Sequence, residues 1–179
     1  KYLNEFDHGL LALLQSERSP ALDSLMVLAT RLGDFASQAA VACLLVALLL
    51  LSRQWRAALF AGSALLFTAL SNGALKHLLA RTRPEVLLDP LHSYSLPSGH
   101  SSAAFAFCLV LALLAGRGQP PRWRLTWLLL ASLPASSIAL SRVYLGVHWP
   151  TDILAGALLA SCWCALCMAV CERQRPLPA

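Results

Sequence analysis

The segment SRVYLGVHWPTD crowds Ser141, Arg142, His148 and Asp152 against the start of a long apolar run. Ionisable groups at membrane depth are expensive and tend to mark function. Asp152 follows His148 by four residues, so its carboxylate can hold one ring nitrogen and leave the other free. A carboxylate so placed fixes the tautomer and stabilises the imidazolium that forms in a reaction. A histidine oriented this way is a candidate nucleophile, and Arg142 stands close enough in sequence to reach the same anion. A helix start with a favourable acid near its dipole would account for Asp152 alone, but not for the four residues together.

Two more polar clusters interrupt the apolar pattern. In KHLLARTRP, Lys76 and Arg83 are seven residues apart, close to two helical turns, and share a face if the preceding helix continues outward. A guanidinium offers paired donors and an ammonium a point charge, which suits an anion such as phosphate. In LPSGHSSAAF, Pro97 and Gly99 predict a tight turn, with Ser101 or Ser102 capping the helix that follows. That geometry aims backbone N–H groups and a positive helix end at one spot, an anion site. His100 sits there, suited to proton transfer near neutral pH. Pro150 fits the first turn of the last helix.

The elements that must position these groups are read from the apolar pattern. Of 179 residues, 58% are hydrophobic and 13% charged, with mean hydropathy +0.62; a soluble domain carries about 25% charged residues. Apolar runs at 36–52, 57–75, 101–116, 125–141 and 153–171 approach the length needed to cross a hydrocarbon core of roughly 30 Å, and in lipid they must be helices. Residues 1–34 hold two shorter amphipathic stretches, 6–15 and 20–34, expected as interfacial helices or, alternatively, as one broken span. The expectation is a single domain over 1–179, all-α, with interfacial helices in 1–34 and a transmembrane core of about five helices in 36–175. Pro134 predicts a kink. The six cysteines lie in apolar runs and read as small hydrophobes. The formal charge of +5 comes in short clusters without interleaved aromatics, which argues against nucleic acid. Arg53 and Arg56, then Arg117, Arg122 and Arg124, then Arg173 and Arg175 share one side, cytoplasmic by the positive-inside rule. The three polar clusters face the other. Asn72 and Ser71 read as helix–helix glue. His77, Arg81 and His8 read as interfacial, and Trp123, Trp127 and Trp149 as interface anchors. Glu85, Asp89 and His92 fall in a connecting loop. The chain begins at Lys1 with no initiator Met, which leaves open whether natural N-terminal sequence precedes it.

Taken together, Lys76-x6-Arg83-Pro84, Pro97-Ser98-Gly99-His100 and Ser141-Arg142-x5-His148-x3-Asp152 resemble the three-part signature of the type 2 phosphatidic acid phosphatase superfamily, in order and in spacing. The resemblance implies a haloperoxidase-like helical core and a metal-independent phosphohydrolase with no cofactor. His148 would be the nucleophile oriented by Asp152, His100 the acid and then the base. Lys76, Ser98, Gly99, Arg83 and Arg142 would hold the phosphoryl oxygens. The implied partners are a lipid phosphate and membrane lipids. The implied place is the inner membrane, with the site facing the periplasm. Undecaprenyl diphosphate leads as substrate, with phosphatidylglycerophosphate, phosphatidate and lipid A as rivals. A lipid phosphotransferase, a vanadate-dependent oxidoreductase and a non-enzymatic lipid-binding protein are the readings of other classes. An intact nucleophile and acid argue against binding alone.

Overall fold

The computed structural model describes residues 2–84 and 93–172. It arranges them as α1 (Tyr2–Ser16), α2 (Pro20–Leu32), α3 (Phe35–Leu51), α4 (Trp55–Leu79), α5 (Gly99–Ala115), α6 (Pro121–Tyr144) and α7 (Pro150–Glu172). No strand occurs among the described residues. Lys1, Arg173, Arg175 and the loop residues Glu85, Asp89 and His92 lie outside them.

Each apolar run becomes a helix that starts a little before the run does, and at several starts capping chemistry sets the first residue. Prolines at positions with no intrahelical donor to lose open α2, α6 and α7. Ser19 caps α2, its Oγ accepting from the Leu22 N–H at 3.4 Å. Helix α6 continues through Pro134. At its far end α4 outruns the apolar pattern to Leu79 and stops where Ala80 turns left-handed, with φ 43°.

Three helices, α4, α6 and α7, are long and apolar enough to cross a membrane singly. Helices α2 and α3 pass that test as a pair bent by 46°. The apolar α5 has 17 residues, about 26 Å at 1.5 Å per residue. The protein is therefore an all-α, multi-pass membrane protein. By length and apolarity there are three candidate spans, or four with the bent pair, and the shorter apolar α5 packs among them, in an all-helical membrane bundle as expected. Only Gly33 and Asp34 divide α2 from α3. The bend is pressed into the bundle: a Cβ on Gly33 would lie 2.5 Å from Ile138 Cγ2 and 2.9 Å from His100 Cδ2.

Helix α5 is the axis of the bundle, packed against α3, α4, α6 and α7. The core joins Phe60, Ala61 and Ala64 of α4 to Val110 of α5 and to Cys164 and Cys167 of α7. Ala104 meets Ala135 and Ile138 where α5 touches α6. Lipid tails are as apolar as leucine, so close backbone approach through small residues drives such association. Asn72 donates to Ser102 Oγ at 3.0 Å and Trp163 to Ser71 Oγ at 2.9 Å, the glue expected of residues 71 and 72.

A close backbone approach brings the starts of α5 and α7 together. The Ser98 N–H donates to the Asp152 carbonyl at 3.0 Å, and Ser101 Oγ to the Ile153 carbonyl at 2.8 Å. A Cβ on Gly156 would stand 2.9 Å from Ser98 O and 3.0 Å from Ser102 N, both backbone atoms. Gly156→Ala must therefore push α5 and α7 apart. The expected result is a lowered unfolding midpoint in detergent, by about 1–3 kcal/mol. An unchanged midpoint would refute this account of the contact.

Candidate active site

His148 lies in the turn between α6 and α7, where Gly146 takes φ 71° and the N–H groups of Val147 and His148 both donate to the Arg142 carbonyl. The ring is buried. Its Nδ1 meets Asp152 Oδ2 at 3.2 Å, and its Nε2 meets Arg83 Nη1 at 3.1 Å. A guanidinium only donates, so Nε2 must be the accepting, unprotonated nitrogen. The proton then sits on Nδ1 and donates to Asp152. Burial, opposed by the Asp152 hydrogen bond and reinforced by Arg83 and Arg142, pushes the imidazole down to about 4. Its lone pair is thus available at neutral pH.

Asp152 is fully buried and both its oxygens are occupied. Oδ2 also accepts from the Trp149 N–H at 2.9 Å, and Oδ1 accepts from Arg81 Nη1 at 2.7 Å. Arg81, expected at the interface, is instead an inner member of the site. Trp149, expected as an interface anchor, donates its indole N–H to the Thr82 carbonyl and lies under the Arg81 guanidinium. Asp7 of α1 pairs with Arg81 at 2.6 Å. An acid in an amphipathic N-terminal helix reads as surface, and nothing local in the sequence signals its burial.

Lys76 and Arg83 come together, though not on one helix face. Helix α4 ends between them, and the chain from residue 80 folds back. Lys76 Nζ donates to the Tyr94 carbonyl at 2.7 Å, and Arg83 Nη2 reaches the same oxygen at 3.4 Å. Arg83 is further held by the Ser93 and Val147 carbonyls. His77 meets the Tyr94 ring edge-on.

The cap of α5 is Ser98, not Ser101 or Ser102, its Oγ accepting from the Ser101 N–H at 3.4 Å. With the Ser98 N–H bonded to Asp152 O, the N–H groups of Gly99 and His100 are the ones that a helix start leaves without intrahelical partners. His100 Nε2 stands 3.2 Å from Asp34 Oδ1. Asp34 occupies the N-cap position of α3 yet makes no side-chain cap bond there; its carboxylate is turned to His100. Arg142 Nη1 donates to Thr30 Oγ1 at 2.6 Å, while its buried Nε has no partner among the described residues. The α2–α3 bend therefore supplies one partner to His100 and one to Arg142, neither foreseen from motifs.

Beside His100 opens a groove of about 740 Å³ between α3, α4 and α5, running from Gly33 and Gly99 to Leu50 and Gly62. Its walls are apolar and many are small, among them Ala39, Ala42, Ala69, Gly73 and Ala103. Arg83 thus touches the lone-pair side of a buried histidine, with Arg142 and Lys76 in the same group of charges, while the apolar groove opens beside the second histidine, His100.

Comparison with known proteins decides the family. The family model described as the PAP2 superfamily matches residues 57–176. The chain belongs to the PAP2 superfamily. It is 33% identical to an undecaprenyl-diphosphatase of Sulfolobus acidocaldarius over 57% of this chain and 48% of that protein. It is 31% identical to a decaprenylphosphoryl-5-phosphoribose phosphatase of Mycobacterium tuberculosis over 86% of this chain and 85% of the other. The crystal structure of a transmembrane PAP2 type phosphatidylglycerolphosphate phosphatase from Bacillus subtilis superposes with a TM-score of 0.87, at 26% identity, over 99% of this chain and 90% of that one. The chain spans about half the length of the first curated relatives it matches. All three polar clusters fall inside the PAP2 match, whereas Asp7, Thr30 and Asp34 lie before it.

The His148 environment makes a signed prediction. A lowered value means that the ring stays neutral down to about pH 4, so histidine NMR of the wild type should show no His148 midpoint near 6.5. Arg83→Gln removes a cation that disfavours the imidazolium and should move the midpoint up. Asp152→Asn should move it further down. A wild-type midpoint at the ordinary value would refute the tautomer and charge assignment.

Proposed function

We propose that the protein is a lipid phosphatase working through a phosphohistidine. The observation that carries this reading is His148, with Nδ1 tied to Asp152 and the Nε2 lone pair facing Arg83 among cations. In the first step the Nε2 lone pair attacks phosphorus in line. The bond from phosphorus to the lipid-side oxygen breaks, and His100 delivers a proton to that oxygen. In the second step His100 takes a proton from water, whose oxygen attacks phosphorus and releases His148 and phosphate. Arg83 moves its Nη1 from Nε2 to a phosphoryl oxygen as substrate enters. Lys76, Arg142 and the N–H groups at Gly99 and His100 hold the others, so catalysis is chiefly positioning and charge stabilisation. Ser98, as the cap, holds that helix start in place.

Metal independence is supported by the charge of the site. Lys76, Arg83 and Arg142 surround the anion position, and a divalent cation there would meet like charge.

The lipid nature of the substrate is supported by the groove beside His100. From Phe35 to Leu50 it follows α3 for about 22 Å, more than one leaflet of a core of roughly 30 Å. A lipid could slide in sideways with its phosphate at the basic cluster. Within the class, undecaprenyl diphosphate is the leading substrate: the small residues of the groove suit one slender chain, and two of the relatives above carry polyprenyl names. Arg53, Arg56, Arg117, Arg122 and Arg124 join the helices at the end opposite the site, which supports an inner-membrane protein with its site facing the periplasm.

The test is phosphate release by the detergent-solubilised protein with chelator present throughout. Undecaprenyl diphosphate, phosphatidylglycerophosphate and phosphatidate would be compared side by side. The expected result is chelator-resistant release with preference for the polyprenyl diphosphate, falling to background in His148→Ala. Substantial activity in that variant would overturn the nucleophile, and preference for a glycerolipid would overturn the substrate. A second expectation concerns Asp34, which orients His100. Protonation matters most for a poor leaving group, and general acid catalysis is worth about 10²–10⁴-fold. Asp34→Asn should therefore slow an alkyl phosphate at least tenfold more than p-nitrophenyl phosphate. Equal slowing of both would refute the role.

A further inference from the structure

We propose that Asp7 and Arg81 are positioning residues for the nucleophile: the α1 carboxylate holds the Arg81 guanidinium, which holds Asp152, which holds His148. This rests on the phosphohistidine reading above, but reaches outside the residues that carry it. Asp7 lies before the PAP2 match, and Arg81 is no part of the three-part signature.

The chain of contacts is continuous. Asp7 is 1% exposed and Asp152 is at 0%, so two buried carboxylates face each other across one guanidinium. A buried charge persists only when it is paired and hydrogen-bonded, and here each oxygen has a partner. Asp7 Oδ2 accepts from Arg81 Nη2 and from Thr151 Oγ1, both at 2.6 Å. Asp7 Oδ1 accepts from the Thr151 N–H at 2.8 Å, a donor that the first turn of α7 leaves unmatched. Arg81 Nη1 completes the link by donating to Thr151 Oγ1 and Asp152 Oδ1, each at 2.7 Å. Asp152 can rotate only by breaking this set.

Docking α1 on the bundle accounts for Asp7 and Thr151 but not for the Arg81 bond to Asp152 Oδ1, on the same carboxylate whose Oδ2 holds His148. That bond gives the relay an electrical consequence. Asp7 offsets the Arg81 charge, so Asp152 keeps electron density for the Nδ1–H of His148. Without Asp7 the guanidinium would draw Asp152 toward itself and weaken the bond that stabilises the ring as it becomes positive. The other groups facing the pair are cationic on the reaction side, with Arg83 from the connection after α4 and Arg142 from α6. On the far side stand His8 and Trp149. One more unopposed positive charge would aid phosphate binding while slowing its transfer.

The experiment compares wild type, Asp7→Asn, Asp7→Glu and Leu11→Ala in detergent. Leu11 is the buried apolar residue of α1, so Leu11→Ala loosens the helix without touching the relay. With phosphatidate as the probe, Asp7→Asn should lose at least tenfold in kcat with KM unchanged or lower, and Asp7→Glu should recover most of it. Leu11→Ala should keep kcat per folded molecule. The Nδ1–H proton resonance of His148, which needs no turnover, should move upfield in Asp7→Asn alone. If that resonance and kcat stay at wild-type values, or if Leu11→Ala matches Asp7→Asn in both, the relay is overturned and Asp7 only docks α1. Wild type that releases no phosphate, with the resonance still sensitive to Asp7, would overturn the phosphatase reading and leave the relay standing.

Discussion

The Asp152 carboxylate is the point on which the site depends. It lies inside the bundle with no water to solvate it, and its oxygens are satisfied from three directions: His148 Nδ1, the Trp149 N–H and Arg81. His148 and Trp149 belong to the α6–α7 turn, Arg81 to the chain beyond α4, and Asp152 itself to the first turn of α7. A carboxylate buried without them would be expelled or protonated. The need to satisfy one charge therefore fixes how three segments meet. The main chain of the same residue adds a fourth tie, since the Asp152 carbonyl accepts from Ser98 and sets the start of α5 beside it.

The same economy runs through the other histidine. An N-cap aspartate ordinarily satisfies its own helix, yet Asp34 leaves α3 uncapped by its side chain and faces His100. The bend at Gly33 brings it there, and the absent side chain of that glycine leaves the room. Both histidines thus end up with a carboxylate on one ring nitrogen, by local devices that have nothing in common.

Much of this was legible in the sequence because hydropathy and signature spacing are local. The apolar runs marked α3 to α7 to within a few residues, and His148 with Asp152 at a separation of four could be read as a hydrogen-bonded pair. What escaped was whatever depends on tertiary closure. Extending α4 to carry Arg83 failed because Ala80 ends the helix, and a left-handed alanine has no sequence signal. Arg81 read as interfacial because its two acids are 74 residues before it and 71 after it. Asp7 looked like the polar face of an amphipathic helix, which it would be if α7 did not lie across it.

The Asp7–Thr151 contact joins positions 144 residues apart, with almost the whole membrane domain between them. A ribosome adding about 5–20 residues per second needs roughly 7–30 s to make that stretch. Throughout that interval α1 has been synthesised, yet the turn that receives its acid does not exist. Until the last helix is inserted, Asp7 must stay hydrated at the membrane surface, and Arg81 has only one of its carboxylates to hold. The order of biogenesis therefore keeps the reactive histidine unsupported until the chain is nearly finished, so that a truncated nascent protein presents membrane helices but no assembled centre.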